Sequence, residues 1–286
     1  MPSCRAISVK SAKLNMISEY IVMLSQTFLY TIAEWQIFIA LVLMLIAINA
    51  LAFRFGVRYP DDEQEHGFSQ VTSFQAASLG MLALLLGFTF SMAAGRFDER
   101  RDLVVQETNA IGTALLRAQL LPPPYADEAE ELLKQYVRAR VAFQDAGIDE
   151  NALRQSDQNS VDLQNALWAL TADMTRTLQP TVTMSLFVQS LNEVIDLQAT
   201  RKAALEHRIP EIVFLVLYIV AIFAFSLIGY GCGLAKKRNF IPTLVMIVLI
   251  SVVIILITDL DRPRRGLFQV SQQTFLDLEA QIEDVR

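Results

Sequence analysis

Residues 74–121 read FQAASLGMLALLLGFTFSMAAGRFDERRDLVVQETNAIGTALLRAQLL, and this stretch holds the most informative pattern in the 286-residue chain. Its first 22 residues carry no charge, which is the length and composition of a membrane-spanning helix. Four apolar residues then recur at helical spacing through the charged part: Phe97, Val104, Ile111 and Leu115. No proline interrupts the run before Pro122, so we predict one helix that continues beyond the membrane.

Three further uncharged runs, at 35–53, 212–235 and 240–258, have the length that a membrane span needs. Flanking charges set their limits, because a charge exposed to hydrocarbon costs at least ~2.5 kcal/mol. The chain is 53% hydrophobic but also 19% charged, which indicates a protein with both membrane and water-exposed parts. With 74–95 as the second span, we predict an all-α membrane protein with four transmembrane helices.

Residues 96–208 separate the second and third spans and predict a helical domain. Pro122-Pro123-Pro124, Gly147 and Pro180 divide it into segments of helical length, with Asp149 placed to cap one of them. We expect these helices to pack as a bundle. At the C-terminus, 262–286 contains Phe275, Leu278 and Ile282 on one helical face, so we expect an amphipathic helix docked on this domain. The N-terminal segment, 1–32, has two interpretations: an interfacial helix, or a stretch upstream of the true start, for which Met16 and Met23 are candidates.

Lysine and arginine near the span ends predict the orientation. Twelve of them lie on the side that holds both termini and 96–208, against five on the other side. We therefore expect an inner (cell) membrane protein with both termini and the helical domain in the cytoplasm. Within 97–208, 11 basic and 17 acidic residues make the domain acidic, which is typical either of simple solubility or of a vestibule that filters ions.

Several function classes lack their sequence signals. The basic residues are dispersed, so nucleic-acid binding is not expected. The only two cysteines, Cys4 and Cys232, and the only two histidines, His66 and His207, are too few and too far apart for a predicted metal site or catalytic dyad. No phosphate-binding, dinucleotide-binding or nucleophile-elbow motif occurs. We expect no cofactor and no enzymatic activity.

The second predicted span carries small residues on one face, Gly80, Gly87, Ser91 and Gly95. Such a face has two interpretations, close helix packing or the lining of a pore. For the pore, the candidate lining residues combine apolar side chains with hydroxyls: Leu84, Phe88, Thr89, Phe90 and Ser91. In this interpretation a phenylalanine forms the apolar constriction.

Four arginines stand where predicted spans meet water: Arg96, Arg262, Arg264 and Arg265. They are candidates for ion pairs or contacts with anionic lipid, and less so for a substrate site. Two polar clusters occur within the helical domain. One comprises Glu107, Asn109 and Thr113, and the other comprises Asn192, Glu193, Asp196 and Arg201. Pairing within each helix is sufficient to explain both clusters.

Three blocks of the chain together resemble the bacterial bestrophin-like family. They are LLLGFTFSMAAGRFDERRDLVVQETNAIGTALLRAQLLP (84–122), SLFVQSLNEVIDLQATRKAALEHRIP (185–210) and DLDRPRRGLFQVSQ (259–272). The resemblance covers about 30–285 and implies a four-span protein with a helical cytoplasmic region. Distant comparison with bestrophins, which are pentameric calcium-gated anion channels, implies a pentameric channel whose apolar neck lies in the second span.

Two features of the sequence bear on that implication, the first against calcium gating and the second in favour of the neck. Bestrophins bind calcium with an acidic run after the last span, whereas 262–265 is basic here, so calcium gating is not expected. Leu84, Phe88 and Met92 do reproduce the four-residue spacing of the bestrophin neck. The leading hypothesis is an oligomeric ion channel, anion-conducting by resemblance. Its partners would be the lipid bilayer, further copies of the chain, and a small ion or anionic lipid. The alternative is a membrane-anchored scaffold or sensor whose helical domain binds a cytoplasmic partner.

Overall fold

The computed structural model describes residues 34–58, 64–262 and 268–284, and the regular structure within these ranges is entirely helical. The helices are, in chain order, α1 (Glu34–Val57), α2 (Gln64–Ala118), α3 (Tyr125–Asp145), α4 (Glu150–Thr177), α5 (Val182–Glu206), α6 (Glu211–Leu234), α7 (Phe240–Asp261) and α8 (Gln273–Asp284). The all-α prediction is confirmed. The N-terminal segment 1–32, Arg264 and Arg265 lie outside the described residues.

Helix α2 is one uninterrupted helix of 55 residues. It contains the second predicted span and continues through the charged segment, as the lack of a proline predicts. Four stretches of the described residues are long and apolar enough to cross a membrane, and they include α1, α2, α6 and α7. Large apolar side chains on these helices are exposed in the single chain, among them Trp35, Leu43, Phe74, Phe223 and Ile241. Such a surface requires lipid or another protein to cover it.

The chain divides into two compact units, described in turn. The first comprises the described residues up to Leu86 together with Val216–Leu256. In it, α1 and α6 approach each other closely at glycines: a side chain on Gly229 would meet the backbone of Asn49, and one on Gly233 would meet that of Phe53. These glycines therefore serve close helix packing.

Two amides reinforce this unit across the helices. Asn49 Nδ2 donates to the backbone oxygen of Phe225 at 3.0 Å, and Gln75 Nε2 donates to that of Leu227 at 2.7 Å. Each amide nitrogen thereby has an acceptor inside an apolar bundle, where an unpaired amide is costly. They tie α1 and α2 to α6.

The second unit comprises Gly87–Leu215 and the chain from Ile257 onward. Its core is formed by the second part of α2 with α3, α4, α5 and α8. The largest side chains fully buried in it are Tyr136, Phe187, Phe275, Ile111, Leu133 and Leu167. Helix α3 packs against α4 and α8, and α4 packs against α5. This unit is the helical bundle that carries the site described below.

Local signals position these helices. Asp149 accepts hydrogen bonds from the backbone N–H groups of Asn151 and Ala152, at 2.9 and 3.3 Å, and so caps α4. Gly147, with φ of +54°, makes the preceding turn. Thr181 caps α5 through the N–H of Met184 at 3.2 Å. The bundle helices begin close to where the sequence predicts.

Helix α8 packs on this bundle through the apolar face seen in the sequence. Phe275 is fully buried, and Leu278 and Ile282 lie half-buried against the core. Ser271 Oγ accepts from the N–H of Gln273 at 3.3 Å, just before the helix begins. The helix thus brings the C-terminal segment next to α3.

Candidate functional site: a polar groove and a buried ion-pair network

An open groove of about 720 Å³ runs between α2 and α5 in the second unit. Ten residues line it: Gln106, Asn109, Ala110 and Thr113 from α2, and Gln189, Asn192, Glu193, Asp196, Leu197 and Thr200 from α5. On each helix they recur at intervals of about three or four residues, so they share one face. The eight polar ones are exposed.

The groove brings together parts of both polar clusters seen in the sequence. Asn109 and Thr113 from the first face Asn192, Glu193 and Asp196 from the second. The groove therefore carries two carboxylates, and none of its described lining residues is lysine or arginine. Its electrostatic field attracts cations and repels anions.

Glu107 and Arg201, which the sequence grouped with these clusters, do not line the groove. They lie in the interior and contact each other, with Arg201 Nη1 donating to Glu107 Oε2 at 2.7 Å. Arg140 from α3 donates to the same carboxylate, through Nε to Oε1 at 2.7 Å and Nη2 to Oε2 at 3.3 Å. Glu107, Arg140 and Arg201 are 0%, 2% and 3% exposed. We call them the buried triad.

Two aromatic rings and an amide complete the surroundings of the triad. The Arg140 guanidinium lies over the ring of Phe143 at 4.9 Å, and that of Arg201 over Phe275 at 5.2 Å. Arg201 Nη2 also donates to Gln272 Oε1 at 2.9 Å. Phe275 and Gln272 come from the C-terminal segment, so the triad connects α2, α3 and α5 to that segment.

Burial sets the ionisation behaviour of this region. Loss of water lowers the pKa of Arg201, and the nearby Arg140 lowers it further, while Glu107 opposes both effects. Burial likewise raises the pKa of the Tyr136 hydroxyl, which accepts a hydrogen bond from Gln164 Nε2 at 3.1 Å. Both shifts follow from burial, and away from water each charge of the triad depends on its partners.

The sequence analysis missed the triad, although a signal was present. Glu107 stands three residues after Val104 and four before Ile111, which places a carboxylate on the apolar face of α2. Its i+4 neighbour on that face is therefore apolar, and an oppositely charged partner must come from another helix. The identity of that partner depends on tertiary packing.

A second buried arginine, Arg100, lies where α5 and α7 end. Its donors reach four backbone carbonyls: Nε to Ala204 at 3.1 Å, Nη1 to Leu260 at 3.3 Å, and Nη2 to His207 at 3.0 Å and Asp261 at 3.4 Å. Carbonyls at helix C-termini carry partial negative charge, so this placement favours a cation. Asp261 Oδ1 in turn accepts from the N–H of Ile209 at 3.0 Å.

The pore candidates of α2 are distributed around the helix. Phe88 is 65% and Leu84 58% exposed, and both share a face with the exposed Ser91. Phe90 is exposed on another side of the helix, and Thr89 is buried. Of the interface arginines, Arg96 is half-buried and Arg262 buried.

The small-residue face of α2 differs from the glycines of α6. A side chain built on Gly80, Gly87 or Gly95 meets none of the described residues within 4 Å. Close packing among the described residues therefore does not account for these glycines. Among the residues placed by the structure, no group of three His, Cys, Asp or Glu is arranged to hold a metal ion.

Comparison with known proteins gives one family and one fold. Residues 39–275 match the model of a family described as Bestrophin-like domain. None of the curated proteins matches the chain. A point mutant of a bacterial bestrophin homologue from Klebsiella pneumoniae has a TM-score of 0.61 at 14% identity, over 85% of this chain and 99% of that one. The structure of that homologue solved by Zn-SAD phasing has a TM-score of 0.58 at 15% identity, over 85% and 97%. Likeness at this identity shows a shared fold.

Proposed function

The chain belongs to the bestrophin-like family, and from this premise we propose that it assembles into an oligomeric ion channel in the cell membrane. Four spans, at 35–53, 74–95, 212–235 and 240–258, cross the bilayer. Both termini and 96–208 lie in the cytoplasm, in keeping with the excess of basic residues on that side. By resemblance to the bestrophins, the oligomer is a pentamer.

One exposed face of α2 carries the proposal. In the second unit this face begins with Phe88, Ser91 and Gly95 and continues into the polar groove. Within the part of the chain that the structure describes, this face is exposed, first its apolar and small-residue part and then its acidic part. Copies of α2 arranged around an axis would give a pore with an apolar constriction and a polar cytoplasmic vestibule.

We place the constriction at Leu84 and Phe88, with Ser91 following on the same face. Phe88 has the largest exposed fraction of the candidates, 65%, and can approach its copies most closely across an axis. Thr89, which is buried, supports α2 from the other side. Phe90 lies away from this face and contacts lipid or a neighbouring copy. A ring of phenylalanines restricts ion flow by excluding water.

The charge of the vestibule favours cations. Asp98 and Asp102 are exposed on the face of α2 that leads to the groove, and Glu193 and Asp196 line the groove itself. In an oligomer these carboxylates repeat in every copy, which raises the local concentration of cations. Resemblance to the bestrophins alone favours anions, so the lining charge is the feature that decides between them. We therefore propose a cation preference.

Anionic lipid is a second proposed partner. Arg96 is half-buried at the end of the predicted span, and Arg264 and Arg265 follow the last one; Arg262, also predicted for this role, is buried and is left out of it. Juxtamembrane arginines attract acidic headgroups on the cytoplasmic leaflet. Their role in this proposal is to hold the cytoplasmic end of the bundle at the membrane.

Purified protein in proteoliposomes tests the channel. We expect ion flux that follows a salt gradient, a reversal potential showing cation preference, and a detergent-corrected mass of several chains. Empty liposomes, and liposomes with an unrelated four-span protein, are the controls. A monomeric mass together with no flux for either ion sign would overturn the proposal and leave the scaffold or sensor hypothesis.

A further inference from the structure

A small cavity of about 20 Å³ lies inside the second unit, next to the buried triad. Its polar walls are Arg100, Arg201, Gln144 and Gln272, and three aliphatic side chains complete it. A single water needs ~10–15 Å³, so the cavity admits one water or a slightly larger sphere. It is separate from the groove, with which it shares no lining residue.

The buried triad next to this cavity carries one uncompensated positive charge. The buried triad contains two guanidinium groups and one carboxylate, so one positive charge is in excess. Arg100 is compensated separately, by helix-end carbonyls and by the nearby carboxylate of Asp261, so it does not add to this excess. None of the described residues that line the cavity is acidic. A buried charge without a counter-charge is unfavourable by several kcal/mol.

Donors are also in excess over acceptors around the triad. Arg140 Nη1, which does not line the cavity, is buried and has no hydrogen-bond partner among the described atoms. The guanidinium of Arg201, which lines the cavity, gives one bond to Glu107 and one to Gln272. A guanidinium has five N–H donors, so several remain to meet a further acceptor. Gln272 Nε2 donates a hydrogen bond to the backbone oxygen of Val270 at 3.3 Å.

We propose that this cavity binds one small monatomic anion, chloride or bromide. Such an ion offsets the excess charge of the triad and accepts N–H groups of Arg201, which lines the cavity, whereas a water adds no charge. The volume excludes sulfate and organic anions. The bound ion connects Arg100 and Arg201 to Gln272, and so stabilises the attachment of the C-terminal segment to α2 and α5. The proposal does not depend on ion conduction.

Thermal unfolding of the full-length protein in detergent tests this site. At constant ionic strength, replacing gluconate by 300 mM chloride or bromide should raise Tm by about 5 °C for a dissociation constant in the low millimolar range. Crystals grown in bromide should show an anomalous peak within hydrogen-bond distance of Arg201. Equal Tm in halide and gluconate, or no anomalous peak in the cavity, would overturn the proposal.

The variant Gln272→Glu supplies the missing negative charge covalently. Its carboxylate retains the contact with Arg201 and competes with the ion, so the halide dependence of Tm should disappear. Gln155→Glu makes the same change at an exposed position on α4 and should keep the full dependence. Halide dependence that persists in Gln272→Glu would place the effect elsewhere and overturn the assignment. If Gln272→Glu does not fold, the presence or absence of the bromide peak near Arg201 in the wild-type crystals tests the proposed site on its own.

Discussion

Arg140 forms a paired ion bridge with Glu107, through Nε to Oε1 at 2.7 Å and Nη2 to Oε2 at 3.3 Å, and neither side chain is more than 2% exposed. Because Arg201 reaches the same carboxylate, Glu107 joins α2 to two other helices. A single acidic residue thus makes the buried ion pairs that connect the proposed pore helix to α3 and α5. A substitution at Glu107 therefore tests how much these ion pairs stabilise the bundle.

Glu107→Gln should destabilise the protein strongly. The amide has almost the same shape, but it leaves two buried guanidinium groups without a negative partner. Breaking a buried ion network in this way costs ~3–5 kcal/mol. We expect Tm in detergent to fall by roughly 10 °C.

Glu193→Gln is the matched control, since it makes the same change at an exposed position on α5. Its effect on the free energy of unfolding should stay within about 0.5 kcal/mol. Equal Tm values for the two variants would show that the triad does not hold the bundle.

Gly229→Ala should destabilise the first unit. A Cβ at this position collides with the backbone of Asn49, which has no side-chain freedom to move aside. Forcing α1 and α6 apart costs ~1–3 kcal/mol. A lower Tm and faster proteolysis of purified protein would report the loss.

Gly112→Ala is the control for that glycine. Its Cβ makes only an ordinary contact with Leu278 at 3.8 Å, and alanine is favoured over glycine in a helix by ~1 kcal/mol. We expect unchanged or increased stability. If Gly112→Ala lowered Tm as much as Gly229→Ala, the packing argument would be contradicted.

How much of this fold the sequence predicts depends on the range of each interaction. The continuous α2 follows from the absence of proline, and the start of α4 follows from Asp149, because both are local effects. The partners of Glu107 come from positions 33 and 94 residues away, and no local pattern encodes them. Helix periodicity identifies the face that is buried, but not the helix that covers it.

In the candidate site, too, the sequence predicts what depends on local pattern but not what depends on packing between helices. Five of the eight polar residues of the groove belong to the two clusters seen in the sequence. Only packing shows that Asn109 and Asn192 line one groove and that Arg201 faces away from it. Helix position alone also did not separate Thr89, which is buried, from Phe88, which is exposed. Their exposure depends on where neighbouring helices lie.

Phe88→Ala should widen the proposed constriction. Removing the ring takes away the largest apolar group on the exposed face of α2, and the pore becomes easier to hydrate. We expect single-channel conductance in planar bilayers to rise roughly twofold or more. Phe90→Ala removes the same ring from another side of the helix and should leave conductance unchanged. The reverse pattern would assign the constriction to Phe90.

Neutralising the groove should weaken the preference for cations. In the double variant Glu193→Gln and Asp196→Asn, every copy loses two negative charges from the vestibule, while the buried triad stays intact. We expect the cation-to-anion permeability ratio, taken from reversal potentials in a salt gradient, to fall about threefold. The effect should shrink at high salt, because the Debye length falls to about 3 Å at 1 M. Asp127→Asn with Glu128→Gln removes the same charge from the exposed start of α3 and should leave the ratio unchanged. Equal ratios in the groove variant and the wild type would show that ions do not pass along the groove.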